Sequence, residues 1–223
     1  VGQVANLRPM VNRPRDFREN LSVDIHIHFV TTIGHRRLPH VYEVGHPLFV
    51  TWRLKGSLPQ NRSFPSAIPS REAFLAMDRI LDAASTGPRY LCMAEIANLV
   101  TDAIRYRSQC LRHYDLHAFV VMPSHVHLLM TPLISVSKVM HSLKRFTAME
   151  ANKILGLTGQ PFWQDESYDR LVRSDTEFDR ITRYIETNPV KAGLAATPAE
   201  FPWSSAWWVG NPPQVNNLPH ATA

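Results

Sequence analysis

Cysteine is almost missing from this chain of 223 residues, which has only Cys92 and Cys110. Two thiols far from any CxxC spacing supply neither a disulfide framework nor a Cys-rich zinc site, and a reducing cytoplasm is the expected compartment. Glycine is scarce as well, 9 against 17 prolines, which argues for defined chain reversals and against a flexible low-complexity protein. No stretch approaches the roughly 20 consecutive apolar residues of a membrane helix. The apolar run from Val23 to Ile33 is broken by His26 and His28 and has no small-residue cleavage site, so neither membrane insertion nor secretion is expected. Charged residues make up 19% and hydrophobic ones 44%, enough apolar content for a packed core, which excludes disorder throughout. The length fits one domain with extensions or two small ones.

What charge there is leans positive: 24 Lys and Arg against 19 Asp and Glu give +5 and a pI near 9.5. Residues 46–145 hold 12 basic and 6 acidic residues, leaving 12 and 13 elsewhere, so the whole surplus sits mid-chain. A local basic excess is the footprint of a phosphate-binding surface, and many proteins that never touch nucleic acid carry one of this size.

Residues 1–45 read poorly as a folded unit, with Pro9, Pro14 and Pro39 interrupting a polar start and only Val23 to Ile33 resembling a strand. They read as an appended arm of poor order or as residues upstream of the natural start. A domain follows over 46–208, and 209–223, with Pro212-Pro213 and Asn216-Asn217, reads as a C-terminal tail. Within the domain, Pro47 to Leu54 is a β-rich run ending in turn chemistry, and Ser70 caps an expected helix to about Ala84 with Ala73, Phe74, Met77, Ile80 and Leu81 as its stripe. A second helix is expected over 94–112. Leu116 to Met122 and His125 to Met130 then read as neighbouring strands joined at Pro123-Ser124. Ser135 to Leu155 reads as a long helix with Val139, Leu143, Phe146 and Met149 on one apolar face, and Tyr168 to Val172 as a short strand. Ser174 caps a last helix to Thr187 that buries Phe178, Ile181 and Ile185 and that Pro189 must stop. The order β, α, α, β, β, α, α predicts an α+β sandwich, with helices packed on a mostly antiparallel sheet.

His125-Val126-His127 lies on an expected strand, so both imidazoles project from one face and can share a divalent metal. Paired histidines on a strand are more often surface or hydrogen-bonded residues. The same spacing at His26-Ile27-His28 lacks the preceding hairpin and following charged helix, and ranks below it. Tyr184 and Asn188 stand one helical turn apart, which would let the Asn188 amide oxygen reach the same metal and set a phenol beside it. Taken alone, the pair reads as an interfacial aromatic and a helix C-cap.

Phe119-Val120-Val121-Met122-Pro123-Ser124-His125-Val126-His127-Leu128-Leu129, then Leu143-Lys144-Arg145-Phe146, Phe162-Trp163-Gln164 and Arg183 through Leu194 (RYIETNPVKAGL) resemble, in order and spacing, the single-tyrosine HUH transposases. The branch they resemble most is the REP-associated tyrosine transposases, over residues 46–208. Ser124 stands where Asn or Asp is commoner, and residues 1–45 have no counterpart. The resemblance implies a ferredoxin-like HUH sandwich, with His125 and His127 as metal ligands, Asn188 as the candidate third and Tyr184 as the nucleophile. The implied activity is cleavage and strand transfer of single-stranded DNA at hairpin, REP-like sites through a 5′-phosphotyrosine, assisted by Mg²⁺ or Mn²⁺, Mn²⁺ being the better match to imidazole. Whether transposition or a host role is served stays open, as does a monomeric or homodimeric state, and a cytoplasmic, nucleoid-associated location goes with the reading. Lys144, Arg145, Arg170, Arg173 and Lys191 are placed to hold phosphates, with Trp163 or Phe162 to stack a base, each equally explicable as a solvated charge or core aromatic. Two rivals remain: a hairpin-binding protein of the same fold without cleavage, and a phosphodiesterase in which water attacks. The sequence names no base for the tyrosine.

Overall fold

A computed structural model describes residues 32–35, 39–42, 44–58, 78–81 and 87–210. Two short strands, β1 (Thr32–His35) and β2 (Pro39–Tyr42), pair antiparallel as a sheet of their own within the segment read as an arm. Most of the expected strand Val23 to Ile33, the His26 and His28 pair, most of the helix expected from Ser70, and residues 211–223 lie outside the described residues. Residues 78–81 are helical, as the pattern there predicts.

The main sheet has four antiparallel strands in the order β4-β5-β3-β6, formed by β3 (Leu48–Arg53), β4 (Tyr114–Val121), β5 (His125–Pro132) and β6 (Tyr168–Leu171). Alternation sorts its two faces. Leu48, Val50 and Trp52 of β3, with Val126, Leu128 and Met130 of β5, point into one cluster with α1 (Ala94–Gln109) and α2 (Val136–Leu155). Phe49 of β3, Ala118 and Val120 of β4, and Leu129 of β5 point the other way, where Phe178, Ile181 and Ile185 of α3 (Asp175–Lys191) cover them. The result is the expected α+β fold, with helices on both faces of an antiparallel sheet.

Three local expectations are corrected. The stripe of α2 continues from Val139 and Leu143 through Thr147 and Ala151, while Phe146 and Met149 are 38% and 49% exposed. The i, i+4 ridge wins because Thr147 closes its hydroxyl onto Leu143 O and accepts the Trp163 indole N–H, so a polar residue fits the core at no cost in unmade bonds. The last helix does not stop at Thr187: α3 runs through Pro189 to Lys191. Proline this close to a C-terminus withdraws one N–H from the carbonyl four residues back without breaking the helix, and Gly193, at φ 69°, completes the exit. The second helix ends at Gln109 rather than Arg112, since Arg112 adopts φ 53°.

The two ends of the sheet are closed differently. At β4, the chain after α3 returns, and Val121 N–H donates to Trp203 O at 2.8 Å while Ser205 Oγ binds both the N–H and the carbonyl of Phe119. The short helix α4 (Ser205–Gly210) follows. At the far end of β3, Lys55 N–H reaches Phe162 O and Gln164 N–H reaches Arg53 O, which fixes the link between α2 and β6.

Candidate metal and nucleophile site

β5 carries His125 and His127 on the face that α3 covers, and neither is exposed. Their ring centroids are 4.8 Å apart. Thr51 stands opposite His127 in the β3–β5 register, with its Oγ1 2.7 Å from His127 Nδ1. Ser124, in the turn before β5, lies 3.3 Å from His125 Nδ1 through its own Oγ. With each Nδ1 beside a hydroxyl, both Nε2 atoms face the same point, and that point is occupied from a remote segment: Asp78 Oδ1 lies 3.1 Å from His127 Nε2 and 3.7 Å from His125 Nε2. The ligand atoms of the three residues all lie within 4.8 Å of one another, and all three residues are buried.

α3 completes the group. Its start is set by Ser174, whose hydroxyl accepts from Glu177 N–H, and its register by Phe178, Ile181 and Ile185 against the sheet. One turn beyond Ile181 and Ile185, on an adjoining flank, come Tyr184 and Asn188. Asn188 is 1% exposed, with Nδ2 3.4 Å from His127 Nε2, and its Oδ1 is buried without a hydrogen-bond partner among the described residues. The Tyr184 ring meets His127 edge-on at 5.6 Å and Phe49 at 6.3 Å, while Phe49 stacks on His127 at 5.6 Å. The ammonium of Lys191 sits 5.0 Å from the Tyr184 ring centre.

Two imidazole nitrogens, a carboxylate and an amide oxygen without a partner are a donor set that suits a divalent cation such as Mn²⁺ or Mg²⁺, since nitrogen and oxygen donors with one negative charge match such ions. The electrostatics agree. Burial, the neighbouring His127 and, in the opposite sense, Asp78 bring His125 down to about 3, so it is a neutral imidazole. Burial pushes the Asp78 carboxyl up, but the charge and hydrogen bond of His127, then His125 and Asn188, outweigh it and hold the group below its ordinary value as a carboxylate. Asp78 and Thr51 were not among the residues singled out from sequence.

The other expected site residues are spread out. Arg145, Arg173 and Lys191 are exposed. Lys144 Nζ donates to Gln164 O and Asp165 O, and Arg170 pairs with buried Glu177. Trp163 is 5% exposed within the core, edge-on to Trp52, and Phe162 is buried beside it. Tyr168, the other tyrosine near the group, opens β6 opposite Thr51 and meets Phe49 edge-on at 6.4 Å. Burial raises its pKa, with Arg170 opposing.

Residues 93–188 match the model of the family described as "Transposase IS200 like". Among solved structures, the chain is similar to a REP-associated tyrosine transposase bound to a REP hairpin, at 18% identity and a TM-score of 0.49, covering 86% of this chain and 98% of that one. It is also similar to a putative transposase from Deinococcus radiodurans R1, at 19% identity and a TM-score of 0.36, over 67% of this chain and 93% of that one. No curated protein matches it.

Proposed function

We propose that the chain cuts and rejoins single-stranded DNA with Tyr184 as its nucleophile, a reading supported by the match of residues 93–188 to the IS200-like transposase model. One observation supports this above the rest: α3 brings Tyr184 and Asn188 against the strand that carries His125 and His127, so a phenol and a divalent-ion donor set share one wall. In the step proposed, the Tyr184 oxygen attacks the scissile phosphorus, the bond from phosphorus to the 3′-oxygen breaks, and that oxygen leaves as a 3′-hydroxyl after taking up a proton. The 5′-phosphate stays on the tyrosine as a diester, so an incoming 3′-hydroxyl can reverse the exchange without an external energy source. A divalent ion held by His125, His127 and Asn188 would supply charge stabilisation at the phosphate oxygens. The ammonium of Lys191 lies 5.0 Å from the centre of the Tyr184 ring and holds that ring through a cation–π contact. Phe49 fixes both rings by stacking on His127 and meeting Tyr184 edge-on, and the hydroxyl of Thr51 orients His127.

Because the scissile phosphate must reach a half-buried phenol, a single strand beside a hairpin is the proposed substrate, in line with the sequence resemblance. Arg145, Arg173 and Lys191 are the proposed phosphate contacts. Lys144 and Arg170 reach DNA only by exchanging the carbonyls and carboxylate they now hold.

The test is incubation of labelled single-stranded hairpin DNA with the protein and Mn²⁺, followed by a denaturing gel. Wild type and Tyr168→Phe form a covalent adduct, and Tyr184→Phe binds the DNA but forms none. Cleavage without any adduct would assign attack to water, and binding without cleavage would leave a hairpin-binding protein. An adduct in Tyr184→Phe would move the nucleophile to Tyr168.

A further inference from the structure

Asp78 is a carboxylate buried to 3% exposure, and no lysine or arginine among the described residues pairs with it. Its Oδ1 is turned to two imidazoles whose outer nitrogens each already lie beside a hydroxyl, Thr51 Oγ1 and Ser124 Oγ. If those nitrogens give their hydrogens to the hydroxyls, the lone pairs of His125 Nε2, His127 Nε2 and Asp78 Oδ1 converge on one small volume. Three acceptors within 4.8 Å repel one another unless a cation lies among them. Without a metal, His127 Nε2–H donates to the carboxylate at 3.1 Å and offsets its burial; once both Nε2 lone pairs are free, the buried anion costs several kcal/mol unless a cation takes the place of that proton, which makes the carboxylate a good ligand.

We propose that Asp78 is a fourth protein ligand, which makes the metal centre a two-histidine, one-carboxylate, one-amide site and halves the charge of its ion. The proposal rests on the divalent-ion reading of His125, His127 and Asn188. The neutral donors alone are two imidazole nitrogens and an amide oxygen, a set that nickel or zinc would also accept. The carboxylate tips the set toward Mn²⁺ and Mg²⁺, whose preferred donors are anionic oxygens, and lets the ion bind before DNA arrives with its phosphates. Asp78 therefore sets which metal is held and when, and it ties the helical residues 78–81 to the site.

Titration of the full chain with Mn²⁺, Mg²⁺ and Ni²⁺ without DNA, followed by calorimetry, tests this in wild type, Asp78→Asn and His127→Ala. Asp78→Asn keeps size and an oxygen donor but loses the charge, so it should weaken Mn²⁺ and Mg²⁺ by about tenfold or more while weakening Ni²⁺ less, and it should leave the metal-free unfolding midpoint near wild type. His127→Ala should weaken all three metals. Should Asp78→Asn bind Mn²⁺ like wild type while His127→Ala does not, Asp78 is no ligand and the metal reading survives. An equal loss of all three metals with a lowered metal-free midpoint would make Asp78 structural and overturn the proposal. Absence of Mn²⁺ binding to wild type sinks the metal reading and this proposal together. A second measurement needs no variant: Mn²⁺ bound to wild type labelled with ¹³C at aspartate carboxyls should show electron–nuclear coupling to a directly bound carboxylate, and its absence would count against Asp78 as ligand.

Discussion

Tyr114, at the start of β4, has no exposure, and its hydroxyl donates to Ile104 O in α1 at 2.7 Å. Burial raises its pKa well above the ordinary value of 10.0, with Arg107 pulling weakly the other way. An acid whose folded pKa is raised ionises more easily in the unfolded chain, so its stabilisation is whole below pH 10 and is lost as pH rises beyond it. Tyr114→Phe should therefore be less stable than wild type by about 1 kcal/mol at pH 7 for the missing hydrogen bond, with the gap closing as pH rises past 10. Denaturant melts at pH 7, 9 and 11 check this, and a gap independent of pH would contradict it. At this scale the site was legible where local periodicity decides it. Strand alternation puts His125 and His127 on one face, and helical spacing puts Asn188 one turn from Tyr184. Thr51 depends on strand register and Asp78 on a segment 47 positions before His125, and no local spacing encodes either. One local signal existed for Asp78: it lies four residues after Phe74 and three before Leu81, so it interrupts the apolar stripe of its own helix with a charge.

Among the elements, α3 has the most to do, because its rotation and start decide where Tyr184 and Asn188 fall. Ser174 was readable as its cap from the step into an amphipathic run with Asp175 and Glu177 in the first turn, and the structure has the Ser174 hydroxyl accepting from Glu177 N–H at 3.2 Å. Ser174→Ala should cost about 1 kcal/mol, a shift of some 2–4 °C in unfolding midpoint for a chain of this size, while leaving the adduct yield intact. Differential scanning calorimetry and the gel assay read the two effects separately, and a large loss of adduct would show that the cap governs the site rather than the helix alone. The far end of α3 was misread because the rule that proline disfavours helix in the residue before it assumes a helix with more to lose: in the last turn only the Ile185 carbonyl goes without a donor. Phe146 and Met149 were misread for a different reason. Their hydrophobicity fits a stripe one notch from the true one, and only the Trp163 to Thr147 bond reveals which ridge faces the sheet.

For the whole molecule, the order of strands and helices along the chain was enough to give the fold class, since four strand-like runs and their intervening helices leave few ways to bury both sheet faces. The spatial order β4-β5-β3-β6, with β3 central although first among the four, rests on long-range pairing that no window of sequence contains. The proposed DNA contacts also belong at this scale. If Arg145, Arg173 and Lys191 each neutralise a phosphate of a single strand, replacing any one by alanine should flatten the plot of log affinity against log salt by about 0.7. Lys144→Ala should instead lower the unfolding midpoint and leave that slope unchanged, because its ammonium ties down the carbonyls of Gln164 and Asp165. Fluorescence anisotropy over a salt series would separate them, and a wild-type affinity indifferent to salt would remove the case for a DNA substrate.

The closure of β4 by the returning chain has a consequence in time rather than in energy. Phe119 and the serine that caps it are 86 positions apart, so on a ribosome adding about 5–20 residues per second the edge of β4 waits for roughly 4–17 seconds before its partner is even made. During that interval the nascent chain offers an open row of backbone donors and acceptors to any neighbouring polypeptide, including other chains rising from the same message. Yield during synthesis should accordingly fall when translation is stalled between β4 and residue 205, and recover when a holding chaperone covers the strand, even though the finished protein shows no sign of the hazard it passed through.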